Sequence, residues 1–127
     1  SVGGQGMKRK PSLKSLRKKA DDAWALKVKL RAATCEVCEV REVQAAHHAM
    51  PKGRYGFLRY DTRVGVAICH RCHINAPRDP GPGILVVVKR HGLHIFADWI
   101  LQARQRKGIG KRWTRKELEG IIKGEMP

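Results

Sequence analysis

The sequence predicts a small α+β domain, with helices at both ends of a core stapled through its cysteines. Three observations lead there. The cysteines fall into two pairs, Cys35/Cys38 and Cys69/Cys72, with thirty residues between them. Short apolar runs, "VQAAHH" and "VGVAIC", lie beside those pairs and are too brief for helices. Apolar residues at helical spacing gather instead before residue 34 and after residue 92.

The chain has 127 residues, enough for one small domain with extensions. A chain this short buries a modest share of its surface, so a cross-link or a metal ion adds needed stability. Lys and Arg number 27 against 11 Asp and Glu, a formal charge of +16. That excess argues against a neutral enzyme of small molecules and points to a polyanion, most simply nucleic acid. A merely soluble basic surface would carry the same bias. No stretch approaches the ~18 apolar residues that cross a bilayer, so no membrane partner is expected. "SVGGQGMKRKPS" has no apolar signal core. Met7 ahead of a basic run reads as a natural start, with Ser1–Gly6 a cloning remnant. The expected location is therefore the cytoplasm, where thiols stay reduced and paired cysteines favour metal over disulfide.

Residues 1–34 read as a basic arm, Lys8–Leu13, and an amphipathic helix over Ser12–Ala33. Leu16, Ala20, Ala23, Trp24, Val28 and Leu30 supply its apolar side, and Lys14, Arg17, Lys18, Lys27 and Arg31 its basic side. Residues 35–80 form the core. Glu42–His48 is a strand ended by Pro51 and Gly53, "KGRYGFLRYDTR" is a basic loop, and Val64–Ile68 is a second strand. Cys69 opens a short helix that Pro77 limits. Residues 81–127 form a strand and helix extension. "PRDPGPG" reads as a turn-rich break, "ILVVVKRHG" as a β-branched strand, and Leu93–Lys107 as a helix burying Ile95, Trp99, Ile100 and Ala103. Thr114 and Glu117 have capping-box spacing for a last helix to Lys123.

Two residues between cysteines let both thiolates reach one ion, and two such pairs complete a tetrahedron around zinc. Four sulfurs close that site, which makes the zinc structural. A redox pair would open a helix after a strand in a thioredoxin-like pattern, which is missing. The insert between the pairs carries His47 and His48, and His73 follows Cys72. Neighbours in a regular strand face opposite ways. Both histidines serve one site only if the strand ends or bends there; otherwise one packs and the other is solvated.

Taken together, "CEVC…AAHHAMP…LRYDTRVGVAICHRCH" resembles the HNH endonucleases of the ββα-metal, or His-Me finger, superfamily, phage-encoded members above all. The likeness covers about residues 35–73, and "ADDAWALKVKLRAATC" resembles the helix that precedes the first knuckle in such proteins. It implies a zinc-stapled ββα-metal core, with His48 as general base at a pKa near ~6.5. It implies His47 and His73 as ligands of a catalytic divalent ion, Mg²⁺, Mn²⁺ or another, that binds the scissile phosphate. The products would carry 5′-phosphate and 3′-hydroxyl ends. DNA is the implied partner, in a bacterial or phage-infected cell, alongside phage packaging or recombination proteins. Val64 stands where the motif has its central Asn, which holds the loop bearing the base, so Val64→Asn is expected to recover lost activity. Pro77 stands where many relatives have a further ligand histidine. Asp61, His70 and Asn75 are the polar residues near enough to substitute.

Three functions compete on this reading. They are a metal-dependent DNA endonuclease, a nuclease-derived module that binds DNA without cutting, and an RNA- or ribosome-associated zinc protein that needs no ordered histidine pair. Phosphate contacts are expected from Lys8–Lys19, Lys18 and Lys19 among them, from Lys52, Arg54, Arg59 and Arg63, and from Lys107, Lys111 and Arg112.

Overall fold

The computed structural model describes residues 9–105 and 110–126. The expectations for Met7, Lys8 and Lys107 lie outside the described residues. In chain order the elements are α1 (Leu13–Lys29), β1 (Ala45–His48), β2 (Gly65–Ile68), α2 (His70–Asn75), α3 (Gly81–His91), α4 (Leu93–Gln105) and α5 (Arg115–Ile122). Two 3₁₀ turns, Gly56–Leu58 and Thr62–Val64, shape the loop between the strands. The class is α+β, as the sequence predicts.

Ser12 starts α1 by accepting the Ser15 N–H at 3.1 Å, which satisfies one of the free donors of the first turn. Leu16, Ala20, Trp24 and Val28 recur every four residues and form its buried stripe. The helix stops at Lys29, short of the expected Ala33. Leu30, read as part of the apolar side, is the C-cap and is 76% exposed.

The stripe of α1 lies on the sheet. The two strands are antiparallel, with Ala45 opposite Ile68, Ala46 opposite Ala67, His47 opposite Val66 and His48 opposite Gly65. The first strand is shorter than Glu42–His48; Glu42 makes only an isolated bridge to Thr34. Val64 closes a 3₁₀ turn rather than opening β2. Successive residues of β2 face opposite ways, and both faces are covered. Val66 and Ile68 join Cys35, Leu58, Val64, Val87 and Trp99 in one apolar cluster. Ala67 joins the α1 stripe, Tyr60, Leu118 and Ile121 in the other. Gly65 is the crossing point of α1. A Cβ there would sit 2.3 Å from Val28 Cγ2 and 3.0 Å from the Trp24 ring, so only glycine admits the helix this close.

Cys69 caps α2 as predicted, its sulfur accepting the Cys72 N–H, and the helix ends ahead of Pro77. The expected strand at "ILVVVKRHG" is instead helix α3, and the turn-rich "GPG" is its first turn. Proline is tolerated in a first turn, where its missing N–H has no partner to lose. Gly83 and Val87, four apart, are buried, and Val86 and Arg90 are half-buried beside them. Packing of that stripe on β2 overrides the β preference of a Val-rich run. Gly92, at φ 94°, turns the chain into α4, on which Trp99 and Ala103 are buried and Ile95 and Ile100 half-buried. The capping box predicted for α5 is present, with Thr114 and Glu117 each accepting the other's backbone N–H. Among the described residues no helix is long and apolar enough to cross a membrane.

Candidate functional site

The four cysteines come together. Their sulfurs lie within 4.8 Å of one another, with Cys35 and Cys69 buried and Cys38 and Cys72 half-buried. Each pair forms a knuckle in which the first sulfur accepts the N–H of the second cysteine, Cys38 to Cys35 at 3.5 Å and Cys72 to Cys69 at 3.4 Å. Glu39 takes a left-handed φ of 60°, and the following N–H groups of Arg41 and Val40 reach Cys38 and hold its thiol down to about 6. Burial, and then hydrogen bonding among the other sulfurs, pushes Cys72 up to about 12. Four neighbouring thiolates repel one another, and a dication removes that repulsion. The donor set is one that can hold a metal ion such as zinc.

Glu36, between the two cysteines of the first knuckle, ties the cluster to the sheet. One of its carboxylate oxygens accepts the Ala67 N–H at 2.7 Å, and the other pairs with Arg90 of α3. Arg31 and Arg90 both donate to the Gly65 carbonyl. Three chain segments are thereby fixed to the start of β2.

The three histidines line one open cleft of about 720 Å³, together with Asp21, Asp22, Trp24, Lys52, Pro77 and Pro80. On one face of β1, His47 packs on Gly83, where a Cβ would come within 3.3 Å of its ring. The His73 ring stands edge-on to it, with centroids 5.5 Å apart. On the other face His48 stacks flat on Trp24, centroids 3.8 Å apart and planes within 7°. Because β1 ends at His48, both side chains reach the same cleft despite facing opposite ways. The His48 ring is anchored at its edge, where Nε2–H donates to the Arg59 carbonyl at 2.9 Å. A carbonyl only accepts, so the neutral ring carries its proton on Nε2 and its lone pair on Nδ1.

Burial pushes His48 down to about 4, against a smaller upward pull from the Arg59 carbonyl, so the expected value near 6.5 is corrected. Burial, with His73 adding to it, also lowers His47. Both are neutral at pH 7. Among the described residues the four cysteines form the one cluster of three or more metal-ligating side chains. His47 and His73 are therefore a two-residue pair, and Pro77 lines the cleft beside them.

The basic residues divide into two kinds. Arg59 is locked to Asp21 through two hydrogen bonds of 3.0 and 2.7 Å, and Arg63 to Asp61 through bonds of 2.7 to 3.1 Å. Lys111 pairs with Glu117 at 2.7 Å and lies over the Trp113 ring. Lys18 meets Asp22 only at the exposed surface, where such a pair contributes little. Lys19, Lys52, Arg54 and Arg112 are exposed and make no ion pair with the described residues. Of the polar residues considered as substitutes, Asp61 is buried and paired with the part-exposed Arg63, His70 is exposed, and Asn75 lines a small pocket beside His47.

Val64, where the resemblance implies an Asn, is fully buried in the apolar cluster, and its carbonyl accepts the Ala49 N–H at 2.9 Å. That backbone bond ties down the residue after His48 without any side-chain amide. The sequence reading missed Asp21 as a lining residue and took Trp24 only as an apolar position. Both touch residues more than twenty positions away, and no spacing rule marks such contacts. Protein-family models, curated proteins and solved structures give no match to this chain.

Proposed function

We propose that this chain is a metal-dependent DNA endonuclease of the HNH type, hydrolysing phosphodiester bonds to 5′-phosphate and 3′-hydroxyl ends inside a bacterial or phage-infected cell. The observation that carries the reading is the meeting of His47, His48 and His73 in one open cleft, with the four-cysteine cluster behind His73. The order strand, strand, helix across Ala45–Asn75 is consistent with a ββα-metal core. A structural zinc on the cysteines fits the two knuckles.

The histidine pair fits a divalent ion such as Mg²⁺ or Mn²⁺. His47 is held neutral, as a ligand must be, and the edge-on pair opens to a cleft wide enough for water and phosphate oxygens to complete the coordination. When bound, such an ion would supply charge neutralisation at the scissile phosphate. His48 takes the proton of the attacking water on Nδ1 as that water's oxygen bonds to phosphorus. The bond to the 3′ oxygen breaks, and this oxygen takes a proton from solvent. Lys19, Lys52, Arg54 and Arg112 carry the sequence-independent contacts to the strand.

A second reading, a DNA-binding module descended from such a nuclease, is favoured by Pro77 at the cleft and by Val64 in the core. A supercoiled-plasmid nicking assay with Mg²⁺ and with Mn²⁺ separates the two. Nicked product that disappears on chelation is expected. DNA binding without nicking by zinc-loaded protein would leave the second reading.

A further inference from the structure

We infer that helix α1 is half of the histidine cleft, with Trp24 and Asp21 acting as positioning residues for the His48 imidazole. This rests on reading His48 as the base. An imidazole at a strand end has two freedoms to lose, rotation of the ring and sway of its edge. Trp24 removes the first by covering one face of the ring at 3.8 Å. Trp24 is itself fixed, buried to 3% exposure and donating its indole N–H to the Asp61 carbonyl at 2.9 Å. The second is removed by the Arg59 carbonyl, which receives Nε2–H.

That carbonyl belongs to a loop, and a loop needs a brace. Arg59 supplies it by reaching back to Asp21, one turn before Trp24 on the same helix, with both guanidinium contacts satisfied. One helix therefore supports both the face and the edge of one ring. Gly65 lets the helix come close enough to do so. With these supports in place Nδ1 keeps one bearing, and misplacing a reacting group by about 1 Å can cost as much as 10²-fold in rate. A basic helix that merely covered the core or met phosphates would need neither the flat stack nor the Asp21–Arg59 brace.

The test uses the full chain and the variants Trp24→Leu, Trp24→Phe and Asp21→Asn, each checked for four bound thiols and for DNA affinity. The imidazole C–H signals of His48, assigned by their loss in His48→Gln, should be moved upfield by the indole in wild type. Trp24→Phe should keep most of that shift and Trp24→Leu should lose it. On plasmid DNA, kcat should fall about 10–100-fold in Trp24→Leu with KM within about twofold, and Trp24→Phe should recover most of the rate. Should Trp24→Leu not fold, Asp21→Asn decides, because loss of the brace should move or broaden the His48 signals and lower kcat alone. His48 signals unchanged in a folded Trp24→Leu, or in Asp21→Asn when Trp24→Leu does not fold, would overturn the inference. So would wild-type kcat in those folded variants. If wild type itself does not cut, the endonuclease reading falls, and the ring-shift comparison still decides whether α1 holds the imidazole.

Discussion

Val64→Asn separates two accounts of how the chain around His48 is held. By the resemblance, an amide at this position braces the loop, and its return should raise the cleavage rate by up to about tenfold, the worth of one hydrogen bond. The structure gives a different answer. Val64 is fully buried with Leu58, Val66, Val87 and Trp99 around it, and its own carbonyl already holds Ala49. The substitution removes a buried valine side chain, worth about 1.5–3 kcal/mol, though the Asn methylene keeps part of it. It also buries an amide among apolar groups, at a cost of about 1–3 kcal/mol if it finds no partner. The sum, less the part the methylene keeps, is about 2–5 kcal/mol, a large share of the roughly 5–15 kcal/mol that holds a domain together. For a chain of this size that is a fall in Tm of about 8–20 °C. Thermal unfolding followed by circular dichroism measures it. Cleavage compared at a temperature where both proteins are folded should show no gain. A variant that melts within about 2 °C of wild type and cuts faster would refute the backbone-brace account and restore the role the resemblance implies.

Elemental analysis should find about one zinc per chain, and Cys72→Ser should lose it together with the ordered signals of the two cysteine knuckles and of His73, because metal binding and local folding are coupled in small sites; thiols oxidised in pairs and no zinc would contradict this. His48→Ala should lower the cleavage rate by about 10²–10⁴ while DNA affinity by fluorescence anisotropy stays within about threefold; a dead His47→Ala beside an active His48→Ala would reverse the two roles. Gly65→Ala should destabilise the fold by about 1–3 kcal/mol in urea unfolding, since the new methyl would overlap the stiff, buried Val28. His48 also makes stability depend on pH, because its value near 4 in the folded chain stands against about 6.5 in the unfolded chain. Between those values the unfolded chain binds a proton that the folded chain does not, so the stability present above pH 6.5 is lost as pH falls towards 4. A His48 imidazole titrating near 6.5 by NMR would contradict its burial.

What could be read from the sequence was local. Ser12, Cys69 and Thr114 each start a helix by bonding an N–H three residues on, and such caps are visible in a string of letters. Cysteine pairing is equally local, because two residues between ligands suffice to define a knuckle. Helix α3 was illegible for the opposite reason. Its run of Ile, Leu and Val carries strand preference, and only the seat of Gly83 on His47 and of Val87 in the core makes it a helix. The ion pairs of Arg59 and Arg63 are legible in the sequence to different degrees. Asp61, two residues from Arg63, was near enough to suggest a pair; Asp21, thirty-eight residues from Arg59, was not.

The three histidines owe their places to three different supports, and this decides how the cleft responds to damage. His73 follows Cys72 directly on α2, so its position depends on the cysteine cluster. His47 is held by its strand partner Val66 and by its close contact with Gly83. His48 is held by α1 and the braced loop, whose apolar cluster contains none of the cysteines. Loss of the metal ion from the cysteines therefore removes His73 from the pair first, while the stack of His48 on Trp24 keeps its own support. Loss of the brace does the reverse. A cleft built this way fails one histidine at a time, because His48 and the His47–His73 pair draw their order from opposite faces of the same two-stranded sheet.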